Sequence, residues 1–217
     1  MLKKLTEEKQ AEILRCGISE FAAHGVEGTA MQTVARQAGI SVGVLYKYYT
    51  DKDSFFLACL QKSLGELEGF LRGMLATPDK PLGYARRLIR ELLRYSREHG
   101  DTVRLYHRIT QGSDPALVQE IEGFTSRLYT DFITQAQAQS AVRADLDPAL
   151  LAFFFDNLLM MMQFSCSCPY YRERLKLYGG EDILQNDDYV TDQMLKFVES
   201  AFTFSQADIP HGNEGGI

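Results

Sequence analysis

The sequence predicts an all-α protein. Three observations carry this: apolar residues recur at helical spacing through nearly the whole chain, alternating β-branched runs are missing, and turn signals arrive at intervals that leave helices of roughly 8 to 25 residues. With 217 residues, 45% of them hydrophobic, the chain is long and apolar enough to bury a sizeable core.

Thr6 is placed to cap a first helix whose opening turn carries Glu7 and Glu8, suited to the positive end of the helix dipole. Leu14, Ile18, Phe21 and Ala22 form its apolar stripe, and Gly25 ends it. Thr29 with Gln32 three positions on reads as a capping box for a second helix, with Met31, Val34, Ala35 and Ala38 inward and Gly39 just past its end. Ser41 caps a third helix over 42–48, so Gly39-Ile40-Ser41 is the short glycine-bearing turn that a helix-turn-helix uses. Thr50, with Asp53 three positions on, opens a much longer fourth helix reaching toward Ala76.

Beyond it, Pro78 and Pro81 bracket a loop, and a helix from Leu82 stops at Gly100. Ser113-Asp114-Pro115 starts a long helix to about Ser140, and Asp147-Pro148 starts another with proline in its first turn. Pro169 and Gly179-Gly180 punctuate the stretch before a closing helix over 189–205, and 209–217 reads as a disordered tail. The expected organisation is a three-helix helix-turn-helix domain over 1–50, a larger helical-bundle domain over 51–208 entered through the long fourth helix, and the tail.

The net charge of −6 excludes nucleic-acid binding through bulk basicity. Residues 1–53 hold seven Lys+Arg against seven Asp+Glu, so the excess of sixteen against twenty-two lies wholly in the remainder. Any contact with a polyanion must then come from the placement of a few groups in the N-terminal part.

The informative segment is 29–53, TAMQTVARQAGISVGVLYKYYTDKD. Its third helix carries Gly43 in the first turn, at a propensity cost of about 1 kcal/mol relative to Ala, and a position without a side chain lets a partner surface approach the backbone. Leu45 and Tyr49, four apart, anchor inward, leaving Tyr46, Lys47 and Tyr48 available outward. With Ala35, Gly39, Ser41, Gly43, Leu45-Tyr46, Tyr48-Tyr49 and Lys52 in register, the segment resembles the DNA-binding region of the TetR family of bacterial transcriptional regulators, over roughly 13–60. The remaining three quarters of the chain resemble that family in helical layout only.

The resemblance implies that the 42–48 helix lies in the major groove of double-stranded DNA, with Val42, Val44 and Lys47 nearest the base edges. It implies that Thr29, Ser41, Tyr46, Tyr48 and Lys52 hold phosphates, that Gln32 serves either duty, and that Gly43 allows the close approach. Val42 and Val44 are apolar where base-reading polar residues often stand, so thymine methyls or DNA shape would carry more of the specificity. It further implies a homodimer on a palindromic operator, joined through the helix from Pro148 and the last helix, and a ligand inside the C-terminal domain that releases the DNA. The helix from Pro148 is apolar all round, from Leu150 to Phe164, and one copy of the chain is too little to cover it. The last helix offers Met194, Leu195, Phe197, Val198, Ala201 and Phe202.

Candidate ligand residues are Tyr106, His107, Phe124, Phe132, Phe155, Asp156 and Met160, which point to a largely apolar effector. Asp156 in its apolar helix is costly to bury alone and is expected to meet an arginine of its own chain, a cationic ligand or solvent, the first being favoured. Arg86, Arg90, Arg94 and Arg97 line one helix face, read as solvated in preference to a contact with DNA or an anionic effector. Cys166 and Cys168 at close spacing could begin a metal or redox site, but no further Cys or His lies near them in sequence, so no metal is expected.

An enzyme is not expected: His24, His99, His107 and His211 lack metal-ligand spacing, and neither a phosphate-binding glycine loop nor a nucleophile elbow occurs. No cofactor is implied. The apolar stretch at 150–164 is interrupted by Asp156, Asn157 and Gln163, and no signal-peptide core follows the N-terminus, so the expected place is the cytoplasm with no membrane partner. The alternative left open is a DNA-binding architectural or division-control protein of the same fold, without a small-molecule effector.

Overall fold

The computed structural model describes residues 5–75, 79–112 and 115–203, and within them the secondary structure is helical throughout. The expected tail at 209–217 lies outside the described residues, as do Ala76, Pro78, Ser113 and Asp114.

Helix α1 (Glu7–Gly28) begins at Thr6, whose side chain accepts from the Lys9 amide at 3.2 Å. Gly25 breaks its path at φ 71°, as anticipated, but one more turn follows through Gly28. Thr29 does not cap the second helix. Its hydroxyl donates to the Gly25 carbonyl at 2.7 Å and its side chain is buried, so it closes the end of α1, and α2 (Met31–Gln37) starts from Ala30 with no side-chain cap. Gly39 turns the chain at φ 63°, and Ser41 accepts from the Val44 amide at 3.3 Å to open α3 (Val42–Tyr48).

Helix α4 (Lys52–Leu75) starts from Asp51 and not from Thr50, because Asp51 Oδ1 accepts from the Ser54 amide at 2.7 Å while Ser54 Oγ accepts from the Asp51 amide at 3.2 Å. Then come α5 (Pro81–Glu98), α6 (Gly100–Ile109), α7 (Pro115–Ala138) and α8 (Pro148–Ser167), the last capped by Asp147, which accepts from the amides of Ala149 and Leu150. Next are α9 (Pro169–Gly179), a 3-10 turn (Glu181–Gln185) and α10 (Asp187–Thr203). His99 therefore both ends α5 and opens α6, so Gly100, expected as a stop, is the first residue of the next helix.

Two main cores result. The N-terminal one joins Phe21, Met31, Val34, Ala35 and Leu45 with Phe55 and Cys59 of α4 and Leu105 of α6. Gly17 makes this packing possible, since a Cβ there would stand 2.4 Å from the Phe55 ring and 2.6 Å from the Cys59 sulfur. The C-terminal core gathers Leu88, Ile89, Leu92, Tyr129, Ile133, Leu151, Phe155, Leu159 and Val198 from α5, α7, α8 and α10.

The arginine face of α5 is not simply solvated. Arg86, Arg90 and Arg97 pair with Asp192, Asp188 and Asp187 of α10, while Arg94 turns to Glu91 and Glu98 of its own helix. The three cross-helix pairs tie α10 to α5 along a partly exposed face.

Among the described residues α8 alone is long and apolar enough to cross a membrane, yet it buries Leu151, Phe155, Leu159 and Phe164 within the helical body. One face stays open: Leu150, Phe153 and Phe154 are 58%, 59% and 56% exposed, and Phe197 of α10 is 59% exposed.

Candidate nucleic-acid interface and ligand cavities

Helix α3 is held to the body by one face. Leu45 is buried, Val42 packs partly against the N-terminal core, and the Tyr49 ring lies 4.8 Å from that of Phe55. The opposite face presents Gly43, Tyr46, Lys47 and Tyr48, all exposed, with Val44 half-buried beside them. A Cβ at Gly43 would meet nothing nearer than Ser41 Oγ at 3.9 Å, so packing within the chain does not demand glycine there.

The other residues expected at this face divide. Gln32 is exposed at the start of α2, and Ser41 is exposed with its hydroxyl oxygen occupied as the cap of α3. Tyr48 Oη accepts from the Leu5 amide at 2.8 Å, which fixes the ring and leaves the hydroxyl proton free to be donated. Lys52 Nζ donates to the carbonyls of Glu27 and Thr29 at 3.2 and 3.4 Å, placing its charge over the end of α1. The Thr29 hydroxyl has spent its single proton on Gly25 and is buried, so it has nothing to offer a phosphate.

The expected ligand residues do not converge on one place. A cavity of about 460 Å³ opens between α7 and α8 beside the end of α6, lined by Val118, Glu122, Tyr129, Ala152, Asp156 and Met160 among others. Phe132 and Phe155 instead line a separate apolar cavity of about 400 Å³ with Ala85, Val198 and Phe202. Tyr106 stands next to the first cavity, donating from Oη to Glu122 Oε1 at 2.7 Å. His107 packs edge-on against Phe164 and Tyr171, and Phe124 lies under the Arg72 guanidinium at 4.7 Å.

Asp156 meets no arginine. No described hydrogen bond or ion pair reaches its carboxylate, and the charge acting on it is the like charge of Glu122. Burial, with Glu122 beside it, pushes its pKa up to about 7. Burial likewise raises the Tyr106 and Tyr129 hydroxyls well above the usual tyrosine range. Cys166 and Cys168 are buried thiols, both raised by burial and the former to about 11, which keeps them protonated and poorly nucleophilic. No group of three potential ligands gathers among the described residues.

Glu122 and Tyr129 were not singled out from the sequence. The signal was present: Val118, Glu122, Ser126 and Tyr129 follow at intervals of four, four and three, which puts them on one face of α7.

Comparison with known proteins agrees with the N-terminal geometry. Residues 13–59 match the family described as "Bacterial regulatory proteins, tetR family". The chain is 26% identical over 151 residues to the HTH-type transcriptional regulator RutR of Escherichia coli (strain K12), covering 67% of this chain and 69% of that one. It is 29% identical over 99 residues to the HTH-type transcriptional repressor SCO4008 of Streptomyces coelicolor, covering 46% of this chain and 48% of the relative. The fold is similar to that of FadR from Bacillus subtilis, at a TM-score of 0.68 and 13% identity over 86% of this chain and 97% of the other. It is equally similar to AibR, at a TM-score of 0.68 and 18% identity over 88% and 98%.

Proposed function

We propose, for a chain that belongs to the tetR family of bacterial regulatory proteins, that it is a repressor which binds a palindromic operator as a homodimer and releases it when a small molecule enters the C-terminal bundle. The observation that carries the reading is the division of α3 into an anchored face and an open one. Val42, Leu45 and Tyr49 fix the helix, and Gly43, Tyr46, Lys47 and Tyr48 are turned outward, where a groove and its phosphates would meet them.

In this reading Lys47 and Val44 face base edges, while Tyr46 and Tyr48 donate to phosphates. Ser41, Gln32 and the third Lys52 proton act at the margin, and Thr29 supports the end of α1 from inside. The DNA-binding domain drawn at 1–50 borrows Phe55, Cys59 and Leu105 for its core, so it moves with the first turns of α4 and with α6.

Exposed Leu150, Phe153 and Phe154 on α8 and Phe197 on α10 give the homodimer its apolar face. Two α3 helices brought together by it would address half-sites about one helical turn, roughly 34 Å, or a multiple apart. Small-molecule release is supported by the two cavities in the C-terminal bundle and by the scaffold's use elsewhere: the AibR structure is a complex with isovaleryl coenzyme A and operator DNA, and the FadR structure is a complex with stearoyl-CoA.

The test is fluorescence anisotropy with a mixed-sequence duplex at low salt, comparing the native chain with the double variant Tyr46→Ala/Lys47→Ala. The native chain should bind with an affinity that falls steeply as salt rises, and the variant should bind at least about tenfold more weakly. Equal binding by the two proteins would remove α3 from the interface.

A further inference from the structure

The cavity between α7 and α8 has an unusual charge pattern for a place that is otherwise uncharged. Two carboxylates, Glu122 of α7 and Asp156 of α8, belong to it, and no lysine, arginine or histidine is among its described lining residues. Glu122 is tied down by the Tyr106 hydroxyl at 2.7 Å. Asp156 has no such partner and feels only a like charge.

Tyr129 supplies an independent observation. It is 3% exposed, it lines the same cavity, no described hydrogen bond reaches its hydroxyl, and the Asp156 carboxylate acts on it. A hydroxyl that borders a cavity and has its hydrogen-bonding capacity unspent within the chain is open to whatever fills that cavity. Val118, Ala149, Ala152, Phe153 and Met160 supply apolar and aromatic wall, and the uncharged polar side chains of Thr110, Ser126, Thr130 and Asn157 complete it.

We propose that this cavity takes a lipophilic organic cation, whose charge is met by Asp156 and Glu122 and by the faces of the surrounding rings, and whose apolar body fills the space toward Val118 and Met160. The inference rests on the reading of the C-terminal bundle as an effector domain and names the chemical class of effector. About 460 Å³ suits a molecule of ordinary ligand size. A cation cancels the repulsion between the carboxylates, and aromatic rings add attraction to it once it leaves water. A polyanionic ligand would instead bring further negative charge against two carboxylates with nothing to neutralise it, so coenzyme A thioesters of the kind seen with AibR and FadR are poor candidates here. The cavity lined by Phe132 and Phe155 has Lys80 at its edge and no such acidic pair.

The test is calorimetric titration of the full chain at pH 8 with tetraphenylphosphonium and, as the isosteric anion, tetraphenylborate, repeated on the double variant Asp156→Asn/Glu122→Gln. The phosphonium should bind and the borate should not, and the double variant should lose at least about tenfold in phosphonium affinity while still unfolding cooperatively at a temperature no lower than the native chain. Absence of phosphonium binding, equal binding of the two ions, or undiminished binding by a folded double variant would each overturn the proposal. Duplex binding measured on the same native sample separates the two readings. If DNA is bound and the phosphonium is not, the cation site falls and the regulator stands; if the phosphonium is bound and no duplex is, the regulator reading falls and the site stands.

Discussion

Arg108 of α6 reaches into the N-terminal domain and donates from Nε to the carbonyl of Ala22 in α1 at 2.7 Å, and from Nη2 to the adjacent carbonyl of Ala23 at 2.6 Å. These carbonyls belong to the last regular turn before Gly25 breaks the helix, where a cation is favoured by both the dipole and the unsatisfied acceptors. Leu105, one turn earlier on α6, is buried in the N-terminal core. Tyr106, between them in sequence, bonds Glu122 at the α7–α8 cavity. One short helix thus touches both the cavity and the helix that supports the helix-turn-helix, beside the link provided by α4.

Replacing Arg108 with Ala should therefore weaken the coupling between the two parts. We expect a loss of about 1–2 kcal/mol of stability, since the guanidinium is partly solvated, and a smaller change in duplex affinity on adding effector than the native chain shows. Denaturant unfolding and anisotropy with and without effector measure the two effects. An unchanged effector response would assign transmission to α4 alone.

Gly43→Ala separates folding from function at one position. Nothing in the chain crowds a Cβ there, so the substitution should stabilise the protein by up to about 1 kcal/mol through helix propensity. The added methyl stands on the face offered to DNA, and duplex affinity should drop. Thermal unfolding and anisotropy on one preparation decide it: a variant that is more stable and binds DNA equally well would show that the close approach at Gly43 does not occur.

Asp156 gives a pH dependence with a definite sign. Its folded pKa of about 7 lies above the ordinary 3.8, so between those values the folded chain holds a proton that the unfolded chain has lost. Its contribution to stability is full below about pH 4, declines as pH rises to about 7, and is lost above that. Asp156→Asn should accordingly stabilise the free protein by a few kcal/mol at pH 8 and by little at pH 4. Equal melting shifts at the two pH values would mean that the carboxylate is well solvated.

Phe154 tests the exposed face of α8. It is more than half exposed and, unlike Phe153, is not among the lining residues of the α7–α8 cavity. Phe154→Glu should leave the fold intact, shift the chain to a monomer in sedimentation velocity, and weaken binding to a two-half-site duplex far more than to a single half-site. A native-like dimer would move the interface elsewhere.

The sequence made the helix-turn-helix legible because its signals are local: Ser41 as a cap, Gly39 at positive φ and Leu45 with Tyr49 as anchors all act within a few residues. It misled at Thr29, where Thr-x-x-Gln fits a capping box, because the break at Gly25 drew the hydroxyl backward to the Gly25 carbonyl. It hid α6, because a glycine that stops one helix reads the same when the next helix starts on it. The pairs of Arg86, Arg90 and Arg97 with α10 span some hundred residues, and no pattern along a single chain records such distances. For the same reason Asp156 was expected to meet an arginine, when the group opposite it is Glu122.

The most direct measurement is selection of bound duplexes from a random-sequence pool by the native chain, with Tyr46→Ala/Lys47→Ala as the parallel protein. The account predicts that the native chain alone enriches a palindrome whose half-sites are centred about one helical turn or a multiple apart. Enrichment of no sequence by the native chain, or of the same palindrome by the variant, would contradict it.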